Sequence, residues 1–421
     1  MPQLAAREMR ESRSTTRRVL RVLAWTAGAI VGLLALALLV ASLVYPVEYV
    51  RRIVFWGESD VDDYVHNFPQ RPLAAAAEPF RFAAAPDEAR VRAALEPILG
   101  VEDLESFFEE SRTQAFLVIQ DDTILYERYF NGAQRDSMLT SYSVAKSFDS
   151  ALVGIAIDEG LLPGVDVPIT DYLPELVDRD ARFAEITIRD LLMMASGLLY
   201  EDDRLLLFNG DGPLTTYHPD QRALALGTLE IRDPPGEYFL YNKYHPQLVG
   251  MILERATGMS VTEFTQRSLW DPLGMEFDGA WCLDSEEDGF EKMESGLNAR
   301  AIDFAKLGRL FLQGGAWDGG RVVSSAWVDE STSRDPATDR SDYYPDEFGQ
   351  QIYDSGRGWY KYWWYGAARD DGTYDFAAMG DHGQYIYVSP ASRLVIVRNG
   401  LEFGIESHDW FSAFYAMAGL L

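Results

Sequence analysis

The residues with the clearest chemical potential are Ser143 and Lys146, in the stretch SVAK. Residues three positions apart share one face of a helix, so the lysine amine can approach the serine hydroxyl. The following stretch, SFDSALVGIAIDEG, is apolar nearly all round, which predicts a buried helix that ends at Gly160. Burial disfavours the charged form of a lysine, and a neutral amine can accept the proton of a serine. The helix N-terminus also offers N–H groups to an oxyanion. The pattern therefore predicts an activated serine nucleophile.

A structural interpretation of the same residues is open. Ser143 or Ser141 can cap the helix through its hydroxyl, and Lys146 can extend along the apolar surface to reach solvent. The position of the lysine in the first turn of a buried helix favours the chemical interpretation, because a buried lysine is costly without partners.

The motif also brings a family resemblance. S-x-x-K is the signature of the penicillin-recognising serine hydrolases: DD-peptidases, class C β-lactamases, related esterases and 6-aminohexanoate-dimer hydrolases. The segment around Ser143 resembles the nucleophile helix of that family, and ITIRDLLMMASGL (186–198) and GLNARAIDFAKLGRLFLQGG (296–315) resemble two further segments. The resemblance runs from about residue 100 to the C-terminus. It implies a covalent acyl-enzyme and no cofactor.

A second family motif, Y-x-N, is matched with one departure. The stretch PPGEYFLYNKYHP places Tyr241 at the motif tyrosine, whereas Lys243 stands at the position of the asparagine. The resemblance implies that Tyr241 shares a proton with Lys146 and acts as base or acid; a tyrosine of the core is the structural alternative. Lys243 is expected either to supply positive charge to the site or to point to solvent.

The third family element, K-T-G, is matched by Asp381, His382 and Gly383. The resemblance implies that Gly383 keeps the backbone close to the substrate and that the N–H of Gln384 forms an oxyanion hole with that of Ser143. Asp381 in place of the lysine would repel the carboxylate of a β-lactam, so this variant is more similar to the esterase and aminohexanoate-hydrolase branch. His382 is expected to contact substrate, to orient the motif tyrosine, or to make a structural hydrogen bond.

The stretch GWYKYWWY (358–365) holds six aromatic residues in eight positions. Strand alternation places Trp359 and Trp363 on one face. These two indoles are expected either to pack in the core or to form an aromatic wall for an apolar acyl or peptide substrate.

Composition argues against several other functions. The 421-residue chain has a formal net charge of −29, which would repel nucleic acid. The glycine-rich phosphate and dinucleotide motifs are absent from the sequence. The five histidines show no metal-ligand spacing, so neither a metal nor a cofactor is expected. Cys282 is the only cysteine, and a small core residue is favoured over a catalytic thiol.

Residues 22–45 form an uncharged apolar stretch that is long enough, at about 36 Å as a helix, to cross a bilayer. Six arginines precede it in residues 1–21. By the positive-inside rule, these residues form a cytoplasmic basic tail and the body lies outside the cytoplasm. An uncleaved single-pass anchor in the cell membrane is therefore expected rather than a removed signal peptide.

The remaining sequence indicates an α+β fold. Runs at 115–130 and 384–399 predict two hairpins, with helices between them, so one sheet is expected to combine strands from both ends of the domain. Residues 46–85 are expected to be a juxtamembrane segment and residues 86–421 the hydrolase domain. The family resemblance implies the serine β-lactamase/DD-peptidase fold, in which an antiparallel sheet flanked by helices lies beside an all-helical subdomain.

The function expected is hydrolysis of an ester or amide through an acyl-enzyme on Ser143, activated by Lys146 and Tyr241. A β-lactamase or DD-peptidase is one alternative, and a non-catalytic cell-wall binding or sensory protein is another. The partner expected is a small-molecule or peptide-like acyl substrate. The natural substrate, the preference between ester and amide, the resting base and the oligomeric state stay open.

Overall fold

Helices and strands follow one another in the irregular order of an α+β fold. The computed structural model describes residues 2–56, 60–61, 63–202, 210–286, 289–338, 343–344, 355–405 and 407–421. The helices are α1 (Pro2–Val44), α2 (Val47–Trp56), α3 (Glu88–Leu99), α4 (Leu104–Glu110), α5 (Ala145–Asp158), α6 (Glu175–Arg179), α7 (Ile188–Leu192), α8 (Asp211–Tyr217), α9 (Gln221–Thr228), α10 (Tyr244–Thr257), α11 (Val261–Thr265), α12 (Ala301–Leu312), α13 (Ser325–Thr332) and α14 (Ser407–Ala418). The strands are β1 (Gln70–Leu73), β2 (Ala83–Ala84), β3 (Thr113–Gln120), β4 (Thr123–Tyr129), β5 (Leu139–Thr140), β6 (Gly279–Cys282), β7 (Leu297–Ala299), β8 (Ala316–Trp317), β9 (Gly320–Arg321), β10 (Gly358–Lys361), β11 (Trp364–Ala368), β12 (Tyr374–Gly380), β13 (Gln384–Ser389) and β14 (Leu394–Gly400).

Strands from both ends of the domain meet in one eight-stranded sheet. Its order is β10-β11-β12-β13-β14-β3-β4-β2, and β14 pairs with β3 from Leu394 opposite Gln120 onward. All neighbours are antiparallel except β2 and β4. Both predicted hairpins, β3–β4 and β13–β14, are confirmed, as is their union in one sheet.

Helices cover both faces of this sheet, and each face has its own core. Residues of α3, α4 and α14 pack with the sheet on one side, where Phe116, Tyr387 and Phe414 are buried. On the other side, residues of α5, α10 and α12 join a larger apolar core. Because α5 lies within this larger core, nearly all of its residues are buried, as the sequence predicts.

A smaller four-stranded sheet connects the segment 46–85 to the nucleophile. Its order is β1-β6-β7-β5. β1 belongs to the segment 46–85, whereas β5 leads directly into Ser143. Within that segment Tyr49, Val50 and Tyr64 are buried together with Tyr142. The segment is therefore packed into the structure that positions the nucleophile.

The N-terminal apolar stretch is helical along its whole length. The 25-residue span Leu20–Val44 of α1 is long and apolar enough to cross a membrane, and almost all of it is exposed. At 1.5 Å per residue the span measures about 37 Å, against about 30 Å for a bilayer core.

The aromatic stretch 358–365 is a hairpin, and the prediction of one alternating strand is wrong. β10 and β11 pair antiparallel with Lys361 opposite Trp364. The turn residues, Tyr362 and Trp363, have φ values of 45° and 69°. Positive φ at both central residues is what a tight two-residue hairpin of the primed type requires. The alternation rule fails here because the stretch reverses direction between Lys361 and Trp364.

The close packing of α5 leads to a prediction about stability. A side chain at Gly154, in the middle of α5, would begin 2.3 Å from the Trp327 indole. We expect Gly154→Ala to lower the free energy of unfolding by about 1–3 kcal/mol, since an overpacked core strains its neighbours more than the alanine favours the helix. Urea unfolding of the full-length protein in detergent, followed by tryptophan fluorescence, measures the change.

Gly227→Ala is the matched control. Gly227 also lies within a helix, α9, but a side chain there would meet open space. Its stability should stay unchanged or rise by up to about 1 kcal/mol. Equal effects of the two substitutions would contradict the packing argument.

Candidate active site

Ser143 lies at the junction between β5 and α5. The chain leaves β5, passes through Tyr142 with a φ of 42°, and forms a short 3-10 turn over Tyr142–Val144 that leads into α5. A positive φ is unusual for a bulky residue, so the backbone is strained immediately before the serine. Ser141 makes no side-chain capping bond; its hydroxyl donates to the carbonyls of Tyr142 and Ser295. The alternative that Ser141 caps the helix is therefore wrong.

Lys146 is buried behind Ser143. The residue is only 1% exposed, so the alternative that its side chain extends to solvent is wrong. Nζ donates to Ser143 Oγ at 2.8 Å and to the backbone carbonyl of Glu294 at 2.6 Å. Burial lowers the pKa of Lys146 to about 8, although the carboxylates of Glu294 and Asp149 oppose this shift.

Tyr241 completes the group from the loop before α10. Its hydroxyl donates to Ser143 Oγ at 2.9 Å, and Lys146 Nζ lies 5.0 Å from the centroid of its ring. Burial raises the pKa of Tyr241 to about 12, against the opposing effects of the Ser143 hydrogen bond and the charge of Lys243. Two side chains, Lys146 from α5 and Tyr241 from a distant part of the sequence, therefore converge on the Ser143 hydroxyl, an arrangement that can activate a serine nucleophile.

Buried charges behind Lys146 were not anticipated from the sequence. Glu294, whose carbonyl binds Lys146, places its carboxylate 2.6 Å from the Lys292 ammonium, and both groups are buried. Lys292 also donates to the carbonyl of Thr216 at 2.8 Å. Burial raises the pKa of the nearby Asp149 carboxyl well above its usual range. No local pattern predicts this network, because its members come from different segments.

Lys243 lies near the site and forms a long ion pair with the carboxylate of Asp202. Its Nζ is 3.9 Å from Asp202 Oδ1, and the lysine side chain is 30% exposed. The preceding residue, Asn242, is fully buried, and its side-chain oxygen accepts a hydrogen bond from the N–H of Tyr244 at 2.9 Å. Asn242 thus supports the start of α10, a role that the search for a Y-x-N motif missed.

The predicted role of Gln384 in an oxyanion hole is not supported by its contacts. The Gln384 N–H donates to the carbonyl of Asp381, within the tight turn that joins β12 to β13. Its side-chain amide donates to the carbonyl of Gly400 at 2.7 Å, and its side-chain oxygen accepts from Asn399 at 3.0 Å. Both its N–H and its side chain therefore hold the turn.

The close backbone approach predicted for Gly383 also has a different cause. A side chain at Gly383 would begin 1.9 Å from a guanidinium nitrogen of Arg398, which donates to the Gly383 carbonyl at 2.7 Å. The glycine that lies against the nucleophile is Gly380. A side chain there would begin 2.5 Å from the carbonyl of Ser141 and 3.1 Å from the N–H nitrogen of Ser143.

His382 lies at the edge of the site, stacked on the residue before the nucleophile. Its ring is 4.8 Å from that of Tyr142, with only 5° between the planes. Its imidazole is 3.4 Å from the exposed Asp381 carboxylate. Burial would raise the pKa of Asp381, but hydrogen bonding to His382 and the charges of His382 and Lys243 outweigh that effect and hold it below its usual value. Asp381 therefore presents a negative charge beside the site.

Trp359 and Trp363 are packed in the protein interior. They are 3% and 1% exposed, and the Trp359 indole donates to the carbonyl of Thr332 at 2.9 Å. The backbone carbonyl of Trp363 accepts a hydrogen bond from Ser147, one residue after Lys146, at 2.8 Å. The two indoles thus offer little surface to a ligand, and the Trp363 backbone supports the helix that carries the site.

Comparison with known proteins agrees with the fold. Residues 104–399 match the beta-lactamase family. The chain belongs to this family. A relative within reach of sequence comparison is the 6-aminohexanoate-dimer hydrolase of Paenarthrobacter ureafaciens, which is 30% identical over 313 residues, covering 70% of this chain and 74% of that protein. Membership in the beta-lactamase family confirms the resemblance expected from the sequence.

Solved structures share the beta-lactamase family fold at lower identity. A Bacillus anthracis protein assigned as a 6-aminohexanoate-dimer hydrolase superposes with a TM-score of 0.68 at 21% identity, covering 84% of this chain and 91% of its own. A hydrolase with promiscuous acyltransferase activity gives 0.58 at 14% identity, with 79% and 98% covered. A class C beta-lactamase gives 0.56 at 13% identity, with 79% and 97% covered. The predicted β-lactamase-type fold is confirmed.

Proposed function

We propose that this beta-lactamase-family protein is a serine hydrolase that cleaves an ester or amide through an acyl-enzyme on Ser143. The observation that carries the proposal is the pair of hydrogen bonds on Ser143 Oγ, from Lys146 at 2.8 Å and from Tyr241 at 2.9 Å. The 30% identical relative is a 6-aminohexanoate-dimer hydrolase, and one structural neighbour is a hydrolase with acyltransferase activity, which agrees with acyl transfer.

Lys146 is the general base in this proposal. With a pKa of about 8, it is partly neutral near neutral pH and can take the hydroxyl proton as Ser143 Oγ attacks the substrate carbonyl. Tyr241, whose pKa is about 12, is protonated in the resting enzyme and gives its proton to the departing alcohol or amine. In the second half of the reaction, the Tyr241 phenolate takes a proton from the attacking water, and the Lys146 ammonium returns its proton to Ser143 Oγ. The bond between the acyl group and Ser143 Oγ breaks, which releases the acid and restores the resting site.

The developing oxyanion needs backbone donors. The N–H of Ser143 lies at the start of the turn that leads into α5, beside Gly380. We assign this N–H to the oxyanion; the second donor predicted from the sequence, the N–H of Gln384, is bonded to the carbonyl of Asp381 in this structure.

The base assignment leads to a prediction about pH. Protonation of Lys146 removes the base, so kcat/KM for an uncharged ester should rise about tenfold per unit up to about pH 8 and level off above it, with Tyr241 protonated throughout. Stopped-flow or steady-state rates of the full-length enzyme between about pH 6 and 10 measure this profile. A flat profile through pH 8 would contradict the assignment of Lys146 as base.

The negative charge of Asp381 at the edge of the site affects which substrates the site favours. The exposed carboxylate of Asp381 disfavours a substrate carboxylate at this position. We therefore expect turnover of neutral esters and amides to exceed that of a chromogenic cephalosporin. Efficient cephalosporin hydrolysis would favour the β-lactamase alternative instead.

The first test is covalent labelling. Full-length protein in detergent is treated with a fluorophosphonate, and the adduct is mapped by peptide mass spectrometry beside Ser143→Ala and Lys146→Ala. We expect a single adduct on Ser143 that depends on Lys146. A folded protein that is not labelled at Ser143 would favour the non-catalytic cell-wall binding or sensory alternative.

Orientation in the membrane forms part of the proposal. The six arginines that precede the apolar stretch 22–45 favour a cytoplasmic N-terminus, with the hydrolase domain on the extracytoplasmic side. This arrangement would place the active site where external acyl substrates reach it.

A further inference from the structure

Helix α2 exposes an apolar face to solvent. Val47, Val54 and Phe55 are 68%, 43% and 79% exposed. With the exposed Arg51 they occupy positions i, i+4, i+7 and i+8, which share one face of a helix. Outside α1, the described residues expose only five large apolar side chains: Val47, Val54, Phe55, Val177 and Leu420. Three of these five side chains thus lie on this short helix.

The opposite face of α2 is fixed to the domain. Tyr49, Val50 and Arg52 are buried. The Arg52 guanidinium donates to the carbonyl of Tyr217 at 3.1 Å and to that of Asp284 at 2.7 Å. A helix that is apolar on both sides is normally buried on both sides. Here the protein buries one side of α2, and the apolar side chains of the other side are left exposed by the described residues.

The adjacent membrane-spanning stretch indicates what covers this exposed side. The apolar span of α1 ends at Val44, only three positions before Val47, and Leu43 and Val44 are exposed as well. A bilayer that surrounds α1 therefore has its surface at the start of α2. Exposed aromatic and aliphatic side chains on a helix beside an arginine are typical of a helix that lies in the membrane interface.

A chain of ring contacts connects α2 to the nucleophile. Trp56 at the end of α2 is 5.0 Å from Phe68, Phe68 is 5.2 Å from Tyr64, and Tyr64 is 4.9 Å from Tyr142. Tyr142 immediately precedes Ser143. Tyr142 also shares one apolar cluster with Ala41 of α1. The nucleophile is therefore held close to the end of the membrane-spanning helix.

We propose that α2 docks in the membrane interface and that Ser143 acts on acyl substrates whose hydrocarbon part is seated in that bilayer. This inference rests on the proposed hydrolase function and adds the substrate class. The partner is the lipid surface itself, because Arg51 is already paired with Glu48 at 2.6 Å and leaves the exposed face mainly apolar. The strongly acidic domain further favours apolar insertion over attraction to anionic lipid.

Docking is tested with an environment-sensitive label. Cys282 is buried, so Phe55→Cys and, as the matched control, Val177→Cys each offer one accessible thiol for a nitrobenzoxadiazole probe. Val177 is 40% exposed on α6. In full-length protein reconstituted into phosphatidylcholine vesicles, we expect the probe at 55 to shift to the blue and to be quenched by shallow doxyl-labelled lipid, while the probe at 177 stays solvent-like. Equal, solvent-like emission from both positions would overturn the proposal.

Substrate preference is tested with the same vesicles. The variant V47S/V54S/F55S should hydrolyse soluble p-nitrophenyl acetate at the wild-type rate but a long-chain fluorogenic fatty-acyl ester in the bilayer at least about tenfold more slowly. Val177→Ser should change neither rate. An unchanged ratio of the two rates in the triple variant would overturn the inference and leave the hydrolase function intact. Failure of the wild type to cleave either ester would instead overturn the proposed function, and the probe would still report whether α2 docks.

Discussion

Replacing Ser143 by alanine should lower kcat/KM for an ester substrate by about 10⁴-fold or more, and replacing Lys146 by alanine should cost nearly as much. Both side chains act on one proton: Lys146 Nζ lies 2.8 Å from Ser143 Oγ and is buried, so solvent cannot replace it as base. Because they act as a unit, the double variant should be no slower than Ser143→Ala alone. Steady-state kinetics with a chromogenic ester measure all three rates.

The control for this series is Ser141→Ala. Ser141 lies two residues before the nucleophile and is fully buried, but its hydroxyl donates only to backbone carbonyls. We expect its activity to stay within about tenfold of wild type. Additive losses in the double variant, or comparable losses in Ser141→Ala, would mean that Ser143 and Lys146 act through stability rather than through a shared proton transfer. Circular dichroism of each variant establishes that the fold is retained.

Tyr241→Phe should have an effect that depends on the leaving group. The substitution removes the hydroxyl 2.9 Å from Ser143 Oγ but keeps the ring that packs near Phe239 and Tyr360. If Tyr241 protonates the leaving group, loss of its hydroxyl should cost about 10²–10⁴-fold for an anilide or alkyl amide. A p-nitrophenyl ester, whose phenolate leaves without a proton, should lose much less. Paired rate measurements on the ester and the amide report the difference.

Tyr374→Phe serves as the control for this substitution. Tyr374 is in the large sheet, and its hydroxyl lies 3.1 Å from that of Thr332, so the substitution also removes a partly buried hydrogen bond. Neither substrate should be affected by more than a few-fold. An equal loss for ester and amide in Tyr241→Phe would point to a structural role for the tyrosine and would return the choice of proton donor to Lys146.

The departures from the sequence-based expectations arise in tight turns and from one contact with a distant strand. Gln384 and Gly383 match the family motif in sequence, yet Asp381 and Arg398 engage their backbones, and Gly380 lies against the nucleophile instead. The aromatic stretch reverses at Tyr362 and Trp363, where two positive φ values close a hairpin. The Gln384 bond and the hairpin depend on the backbone geometry of tight turns, whereas Arg398 reaches the Gly383 carbonyl from β14.

Features that depend on near neighbours can be predicted from the sequence. The spacing of Ser143 and Lys146 on a buried helix, the two hairpins and the apolar span of α1 follow from periodicity and turn chemistry within a few residues. Three further features emerge only in the folded protein. Tyr241 approaches Ser143 from 98 positions away, and the carbonyl of Glu294 accepts a hydrogen bond from the lysine. Tyr49, Tyr64 and strand β1 pack into the structure that holds the nucleophile. These contacts are set by the pairing of the two sheets and by the packing of α5 between distant segments. Short-range propensities place no constraint on which distant segments meet, and burial in one shared core selects them.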